Sequence, residues 1–274
     1  KIKFVIGDVK DRDSISNACV DVDYVIHAAA TKIVPTAEIN PLECIKINII
    51  GAENVIKASI TNKVKKVVAL STDKACNPIN LYGATKLASD KLFIAANNFK
   101  SKNNTKFSVV RYGNVIGSRG SLIPFFLNIK NNNHFPVTHK DMTRFLITLE
   151  DGVKLVFLAF KDMFGGELYV SKIPSVYIKD IPKMIKKNAK LKFIGIRPGE
   201  KLHEKMISED DAFYTYEYGS YYKIIPSFLK QGLHKRYVKS GKKVKKGFNY
   251  SSDNNNDWVN KKQLLEYIKD IEIV

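Results

Sequence analysis

The chain has 274 residues, with 45 lysines and arginines against 27 aspartates and glutamates, a net charge of +18 and 45% hydrophobic residues. That is enough for a globular protein with a good core, in one large or two modest domains. No apolar run approaches the roughly 18 residues of a membrane span. Cys19, Cys44 and Cys76 lack metal-ligand spacing, and their odd number argues against a disulfide framework, which suits a reducing cytoplasm.

In chain order, "KFVIGD" (Lys3 to Asp8) predicts a strand, "DRDSISNACV" (Asp11 to Val20) a short helix with aspartate at its start, and "DYVIHAAA" (Asp23 to Ala30) a second strand. His27 on that apolar strand reads as a packed core histidine. A long helical stretch is expected from Pro41 to about Asn62, with the proline in its first turn. "KKVVAL" (Lys65 to Leu70) is a β-branched apolar run and reads as a buried strand. Its end delivers Ser71, Thr72, Asp73 and Lys74 to a loop. After a turn around Pro78, the Ala-, Leu- and Lys-rich stretch from Tyr82 to Phe99 reads as a helix. "KFSVVRYGNV" (Lys106 to Val115) is the next strand.

Strands alternating with helices predict an α/β fold with a doubly wound parallel sheet. Ligands then sit beyond the strand C-termini, where Asp8, Ala28 to Ala30, Ser71 to Lys74 and Asn114 fall. From about residue 117 the elements shorten and aromatics increase. The expected division is a Rossmann-like nucleotide-binding part over 1–116 and a smaller, mainly substrate-binding part over 117–274, interleaved with it. Such folds normally open with a strand, a glycine-rich turn and a helix. The sequence opens on Lys1, without an initiator methionine, and runs directly into the first predicted strand, so the chain is expected to lack its true beginning. "GNVIGSRG" (Gly113 to Gly120) imitates the fingerprint, but it falls late, and "SLIPFF" after it is a poor opening for the required helix. It reads as a substrate or nicotinamide loop.

The positive charge is carried overwhelmingly by lysine, beside many asparagines and isoleucines, a pattern of general compositional bias. The densest run, Lys235 to Lys246, reads as a solvated loop, and no nucleic-acid partner is expected.

Tyr82 and Lys86 lie four apart on the predicted helix, hence on one face. An ammonium about 4 Å from a phenol, at an effective dielectric near 20, favours the phenolate by about 4 kcal/mol, or about 3 pKa units. A tyrosine so placed can act as a base near neutrality. The pattern Y-x-x-x-K alone is a weak signal, and a shared exposed face is the plain alternative. Placement after a strand that ends in Thr72-Asp73-Lys74 strengthens it.

Together, "HAAATKIVPTAEINP", "STDKACNPINLYGATK", "RYGNVIGSRGS", "MTRF", "IRPGEKLHE" and "YSSDNN" resemble the inverting UDP-N-acetylglucosamine 4,6-dehydratases. These are extended short-chain dehydrogenase/reductase enzymes that start pseudaminic acid synthesis. The resemblance covers nearly the whole chain. It implies a tightly held NADP, UDP-N-acetylglucosamine as substrate, a homo-oligomer, and a cytoplasmic enzyme with no metal. Tyr82 would take the 4-hydroxyl proton as hydride leaves C4, and Lys86 would hold the cofactor ribose and tune Tyr82. Lys74 would remove the C5 proton, Asp73 would protonate the departing 6-hydroxyl, and Thr72 would bond near the 4-oxygen. Asp8, Val9, Ala28, Leu70 and Ser71 would line the dinucleotide; Lys32, Asn114, Thr138, Arg197 and Glu200 would contact the substrate. Retaining relatives typically carry Thr-Asp-Glu where this chain has Thr72-Asp73-Lys74, so the lysine implies the inverting branch. A nucleotide-sugar epimerase of the same fold and a non-catalytic basic binding module are the alternatives.

Overall fold

The computed structural model describes residues 2–99, 104–118, 120–229 and 234–269. It begins with α1 (Arg12–Ala18), β1 (Tyr24–His27), α2 (Val34–Ile39) and α3 (Pro41–Ile45), which runs through a π turn (Lys46–Ile50) into α4 (Gly51–Thr61). Next come β2 (Lys66–Thr72), α5 (Leu81–Ala95), β3 (Lys106–Tyr112), β4 (Asn114–Val115), α6 (Leu122–Asn128), β5 (His134–Val137), β6 (Thr143–Ile147) and α7 (Leu149–Asp162). The remainder contains β7 (Leu168–Ser171), β8 (Ser175–Tyr177), α8 (Asp180–Ile185), β9 (Lys190–Phe193), β10 (Lys205–Ile207), β11 (Thr215–Glu217) and β12 (Tyr221–Ile224). It closes with α9 (His234–Val238), β13 (Lys242–Lys243), β14 (Tyr250–Ser251) and α10 (Lys261–Ile268).

The main sheet has seven strands in the order β1-β2-β3-β7-β12-β11-β13. β1, β2, β3 and β7 are parallel, and β12, β11 and β13 continue antiparallel. Strand alternation sorts the core. Val67 and Ala69 of β2 with Phe107 and Val109 of β3 pack with Val55, Ile56 and Phe93 of α4 and α5. Val68 and Val110 pack on the other face with Leu155, Val156 and Ala159 of α7. Helices thus cover both faces, as a buried parallel sheet requires. A second core, around Phe126, Phe135, Ile181 and Leu264, is built on the small sheets β4-β6-β8 and β5-β9. The later elements are interleaved, since β7, β11, β12 and β13 return to the main sheet.

The structure corrects several sequence expectations. Lys3 to Asp8 forms no strand: a strand needs a ladder partner, and among the described residues none pairs with this exposed run. The predicted strand from Lys106 to Val115 breaks at Gly113, whose added Cβ would lie 2.5 Å from the Phe145 Cβ. There the chain steps from the main sheet to the small one. "SLIPFF" is helical as part of α6, because Pro124 is tolerated in a first turn and Ile123, Phe126 and Leu127 find a core to face. Arg119 of the preceding loop lies outside the described residues. The basic run over 235–246 is not a loop throughout. It supplies part of α9 and the whole of β13, held by Tyr237 Oη on the Gly165 carbonyl (3.0 Å) and Lys243 over the Tyr216 ring.

His27 is buried beside Phe93, and its Nε2 has no hydrogen-bond partner among the described residues. Burial, with a smaller contribution from Lys86, pushes it down to about 3 and keeps it neutral.

Candidate active site

β2 ends at Thr72, whose hydroxyl accepts from the Lys74 backbone N–H (3.3 Å) and so caps a single 3₁₀ turn, Asp73–Ala75. This turn displays Asp73 and Lys74 at the C-terminal end of the sheet, where ligands of open α/β folds bind. Asn80 caps α5 through Gly83 N–H (2.8 Å), and the helix then presents Tyr82 and Lys86, both buried. Gly83 lets the two segments meet: a Cβ there would lie 2.3 Å from the Lys74 carbonyl oxygen and 3.0 Å from Pro78 Cβ. Gly83→Ala is expected to push the turn off the helix and destabilise the protein by about 1–3 kcal/mol. A thermal melt measures this, and an unchanged midpoint contradicts it.

Asp73 is completely buried. Its Oδ1 accepts from Thr72 Oγ1 (2.9 Å) and Lys74 Nζ (3.0 Å), while Oδ2 has no partner among the described residues. Burial raises its pKa, Lys74 opposes that rise, and the neighbouring Glu204 carboxylate adds to it. Burial works to lower Lys74, yet the two carboxylates win and its pKa is raised. Tyr82 is pushed up to about 12 by burial, and the largest influence lowering it is Lys74, followed by hydrogen bonding with Thr72. Lys86 Nζ donates to the Leu70 carbonyl (2.8 Å), and the cation with the largest effect on this phenol is Lys74.

Glu204 and Arg144 were not singled out from sequence. Glu204 is buried, with Oε1 3.3 Å from Lys74 Nζ and 3.8 Å from Arg144 Nε, and Oε2 3.9 Å from Lys201 Nζ. Their positions at the ends of "IRPGEKLHE" and within "MTRF" were the available signal, but nothing in a linear pattern shows that these segments meet at Lys74.

The other predicted site residues divide by environment. Asp8 is exposed, its pKa lowered by hydrogen bonding from the Lys10 backbone, with the Lys10 ammonium 3.4 Å away. Val9 packs on α4, where Gly51 leaves room for it and Asn54 Nδ2 donates to its carbonyl (3.0 Å). Ala28 to Ala30 are exposed at the end of β1. Leu70 is partly buried, and the Ser71 hydroxyl donates inward to Asp90 (2.7 Å). Asn114 Oδ1 is buried without a partner among the described residues, whereas the Thr138 hydroxyl meets Met142 Sδ (2.9 Å). Lys32 stays exposed beyond β1. Arg197 pairs with Glu200 in a loop tied to the start of α5, where Asn80 Nδ2 donates to the Gly199 carbonyl (2.8 Å). The structure thus joins the turn after β2, the start of α5 and the loop over 197–204 in one site. Among the described residues, no group of His, Cys, Asp and Glu could hold a metal ion.

The profile of the family described as "Polysaccharide biosynthesis protein" matches residues 1–226. A Campylobacter jejuni protein named UDP-N-acetylglucosamine 4,6-dehydratase (inverting) is 54% identical over 278 residues, 99% of this chain and 83% of that protein. A Rickettsia bellii protein named UDP-glucose 4-epimerase is 44% identical, covering 99% of this chain and 80% of that one. The X-ray structure of Pen from Bacillus thuringiensis superposes with a TM-score of 0.87 at 37% identity, covering 100% of this chain and 82% of that one. DesIV of Streptomyces venezuelae, a dTDP-glucose 4,6-dehydratase solved with NAD, has a TM-score of 0.65 at 19% identity over 72% of this chain and 68% of that one, and shows the fold alone. The chain therefore belongs to the polysaccharide biosynthesis protein family, on the fold of the extended short-chain dehydrogenases/reductases.

Proposed function

We propose that the protein is a lyase that removes water from UDP-N-acetylglucosamine across C5 and C6, with inversion at C5, giving a UDP-4-keto-6-deoxy-L-hexosamine. The observation that carries this reading is the Asp73–Lys74 ion pair beside Tyr82, with Asp73 fully buried and Lys74 left partly open to solvent. A 4-epimerase needs a base at the 4-hydroxyl, but it needs neither an acid for a departing 6-hydroxyl nor a base at C5. The Asp73–Lys74 pair favours dehydration over the epimerase name that some relatives carry.

When bound, a nicotinamide dinucleotide supplies the reversible hydride transfer at C4 and C6. The residues fit its ribose and nicotinamide end: Ala28 to Ala30 leave the end of β1 open to close approach, and Lys86 lies buried beneath the end of β2. NADP is the form proposed; the ammonium on the adenine side is that of Lys10, shared between Asp8 and Glu43. Tyr82 takes the 4-hydroxyl proton, and the resulting 4-ketone acidifies C5–H. The pair Asp73–COO⁻/Lys74–NH₃⁺ and its tautomer Asp73–COOH/Lys74–NH₂ hold the same protons, and burial disfavours charge on both members. In the neutral form Lys74 removes the C5 proton. Asp73 donates its own proton to the 6-hydroxyl, which leaves as water.

Arg197 has the planar fork that suits a diphosphate, with Glu200, Lys32, Asn114 and Thr138 as further substrate contacts. Residues 1–116 are proposed to serve mainly the cofactor and 117–274 mainly the substrate. Three buried free cysteines suit the cytoplasm, and among the described residues no helix is long and apolar enough to cross a membrane. Leu149, Val153 and Phe157, exposed four apart on α7, support a homo-oligomer. A product destined for surface or flagellar glycan through pseudaminic acid completes the proposal. Incubation with UDP-N-acetylglucosamine and NADP, followed by mass spectrometry and NMR, tests it. A product lighter by one water is expected, and an isomer of unchanged mass would establish the epimerase instead.

A further inference from the structure

We infer that Glu204 is a positioning residue for Lys74, aiming the amine at C5 and stabilising the ammonium that forms when Lys74 takes the C5 proton. This rests on the dehydratase reading above.

The geometry carries it. Glu204 is almost wholly buried, with Oε1 3.3 Å from Lys74 Nζ, the same nitrogen that Asp73 Oδ1 meets at 3.0 Å. Its second oxygen, Oε2, is buried without a hydrogen bond among the described residues. A buried carboxylate is costly unless its charge is used or compensated. The charged groups around it are Lys74 on the turn after β2, Arg144 on β6 and Lys201 on its own loop, with Asp73 beyond Lys74. Arg144 and Lys201 have other engagements: Arg144 Nη1 donates to the Thr143 (2.7 Å) and Leu202 (3.2 Å) carbonyls, and Lys201 Nζ to the Cys76 carbonyl (2.6 Å). Both lie farther from Glu204 than Lys74 does.

Glu204 is also held rigidly. Its N–H donates to Ser252 Oγ (3.0 Å), its carbonyl accepts from Ser252 N–H (2.8 Å), and Ser252 Oγ meets Thr143 Oγ1 (2.6 Å), which in turn meets His203 Nδ1 (2.8 Å). Segments from "MTRF", "IRPGEKLHE" and "YSSDNN" thereby fix one carboxylate against one lysine. When C5–H is broken, the proton and its positive charge pass to Lys74 Nζ and the electron pair moves toward the 4-ketone. A fixed carboxylate beside the nitrogen meets that charge without reorganising, which is the arrangement that lowers such a barrier.

Glu204→Gln keeps the shape and removes the charge. The expected result is a kcat for dehydration about 10²-fold lower with KM within about threefold, on the scale of losing one preorganised electrostatic partner. Without the carboxylate both Asp73 and Lys74 titrate lower, so the pH profile of kcat moves toward acid. An activity-independent readout uses acetic anhydride, since 24% exposure leaves Lys74 within reach. At pH 9 its acetylation, followed by peptide mass spectrometry, should be several-fold faster in the variant. Should Glu204→Gln not fold, Glu204→Asp keeps the charge but draws it back from Lys74 by one methylene, and the same changes are expected in smaller measure. Unchanged Lys74 acetylation, or an unchanged kcat and pH profile, overturns the assignment. If the unaltered protein fails to dehydrate UDP-N-acetylglucosamine, the functional reading falls instead, and the acetylation rates still decide whether Glu204 holds Lys74 charged.

Discussion

Replacing Tyr82 with phenylalanine is expected to lower C4 oxidation by about 10²–10⁴-fold, the scale of removing a general base, while leaving nucleotide-sugar affinity within a few-fold. Phenylalanine keeps the ring that packs with Ala37 and Cys44 and deletes only the ionisable oxygen. The phenol of the unaltered chain stands at about 12, with burial raising it and Lys74 pulling it down. Since only the phenolate can accept the 4-hydroxyl proton, the rate should climb with pH through the neutral range, and Tyr82→Phe should abolish that climb. Stopped-flow absorbance of the reduced nicotinamide, beside calorimetry with the UDP-sugar, measures both quantities. Turnover equal to that of the unaltered protein would remove Tyr82 as the base; loss of binding in proportion to turnover would make it a packing residue.

The same electrostatics make the two acid/base pairs interdependent. Lys74 faces Asp73 at 3.0 Å and is also the largest influence lowering Tyr82. The residue proposed for elimination therefore assists oxidation as well. Sequence spacing suggested two separate devices, Asp73 with Lys74 and Tyr82 with Lys86, because it ranks neighbours along a helix or a loop. It carries no information about a carbonyl such as that of Leu70, which occupies Lys86 in the folded chain.

What could be foreseen follows the same division. The β2–turn–α5 unit is visible because its signals are local: an apolar β-branched run, a proline turn and a helix-forming stretch. The expected strand at Lys3 to Asp8 had the right composition, but strand formation depends on a partner that composition does not specify. α6 was missed because a proline and a weak N-cap hid a helix whose support is tertiary, the packing of Phe126 and Leu127 in the second core. Glu204 was missed for a different reason. The hydrogen bonds joining Thr143, His203 and Ser252 around it span 60 to 109 positions of sequence. The motifs containing these residues are visible in the sequence; their convergence on Lys74 is a property of the fold.

Turnover in deuterated water is expected to give a product carrying deuterium at C5, in the configuration opposite to that of the substrate. Lys74 takes the proton from C5 as Asp73 protonates the departing 6-hydroxyl, so a proton must return to C5 once C6 has been reduced. An amine whose side chain is 24% exposed exchanges with solvent before returning it. Because one fixed amine meets one face of C5, inversion through Lys74 requires the unsaturated 4-keto ring to turn relative to the amine between deprotonation and reprotonation. Lys74→Met, which keeps an unbranched chain but has no amine, should eliminate both dehydration and exchange. It should also slow C4 oxidation, because the phenol of Tyr82 rises further without its cation. Asp73→Asn separates the two events: Lys74 remains able to exchange C5–H of the 4-ketone, but the amide cannot donate a carboxylic proton to the leaving hydroxyl. Exchange should then outpace water loss, by about the 10²-fold or more that a general acid contributes. Proton and deuterium NMR of the product read every one of these outcomes. Retained configuration at C5, or a Lys74→Met protein that still dehydrates at the unaltered rate, would show that the base lies elsewhere.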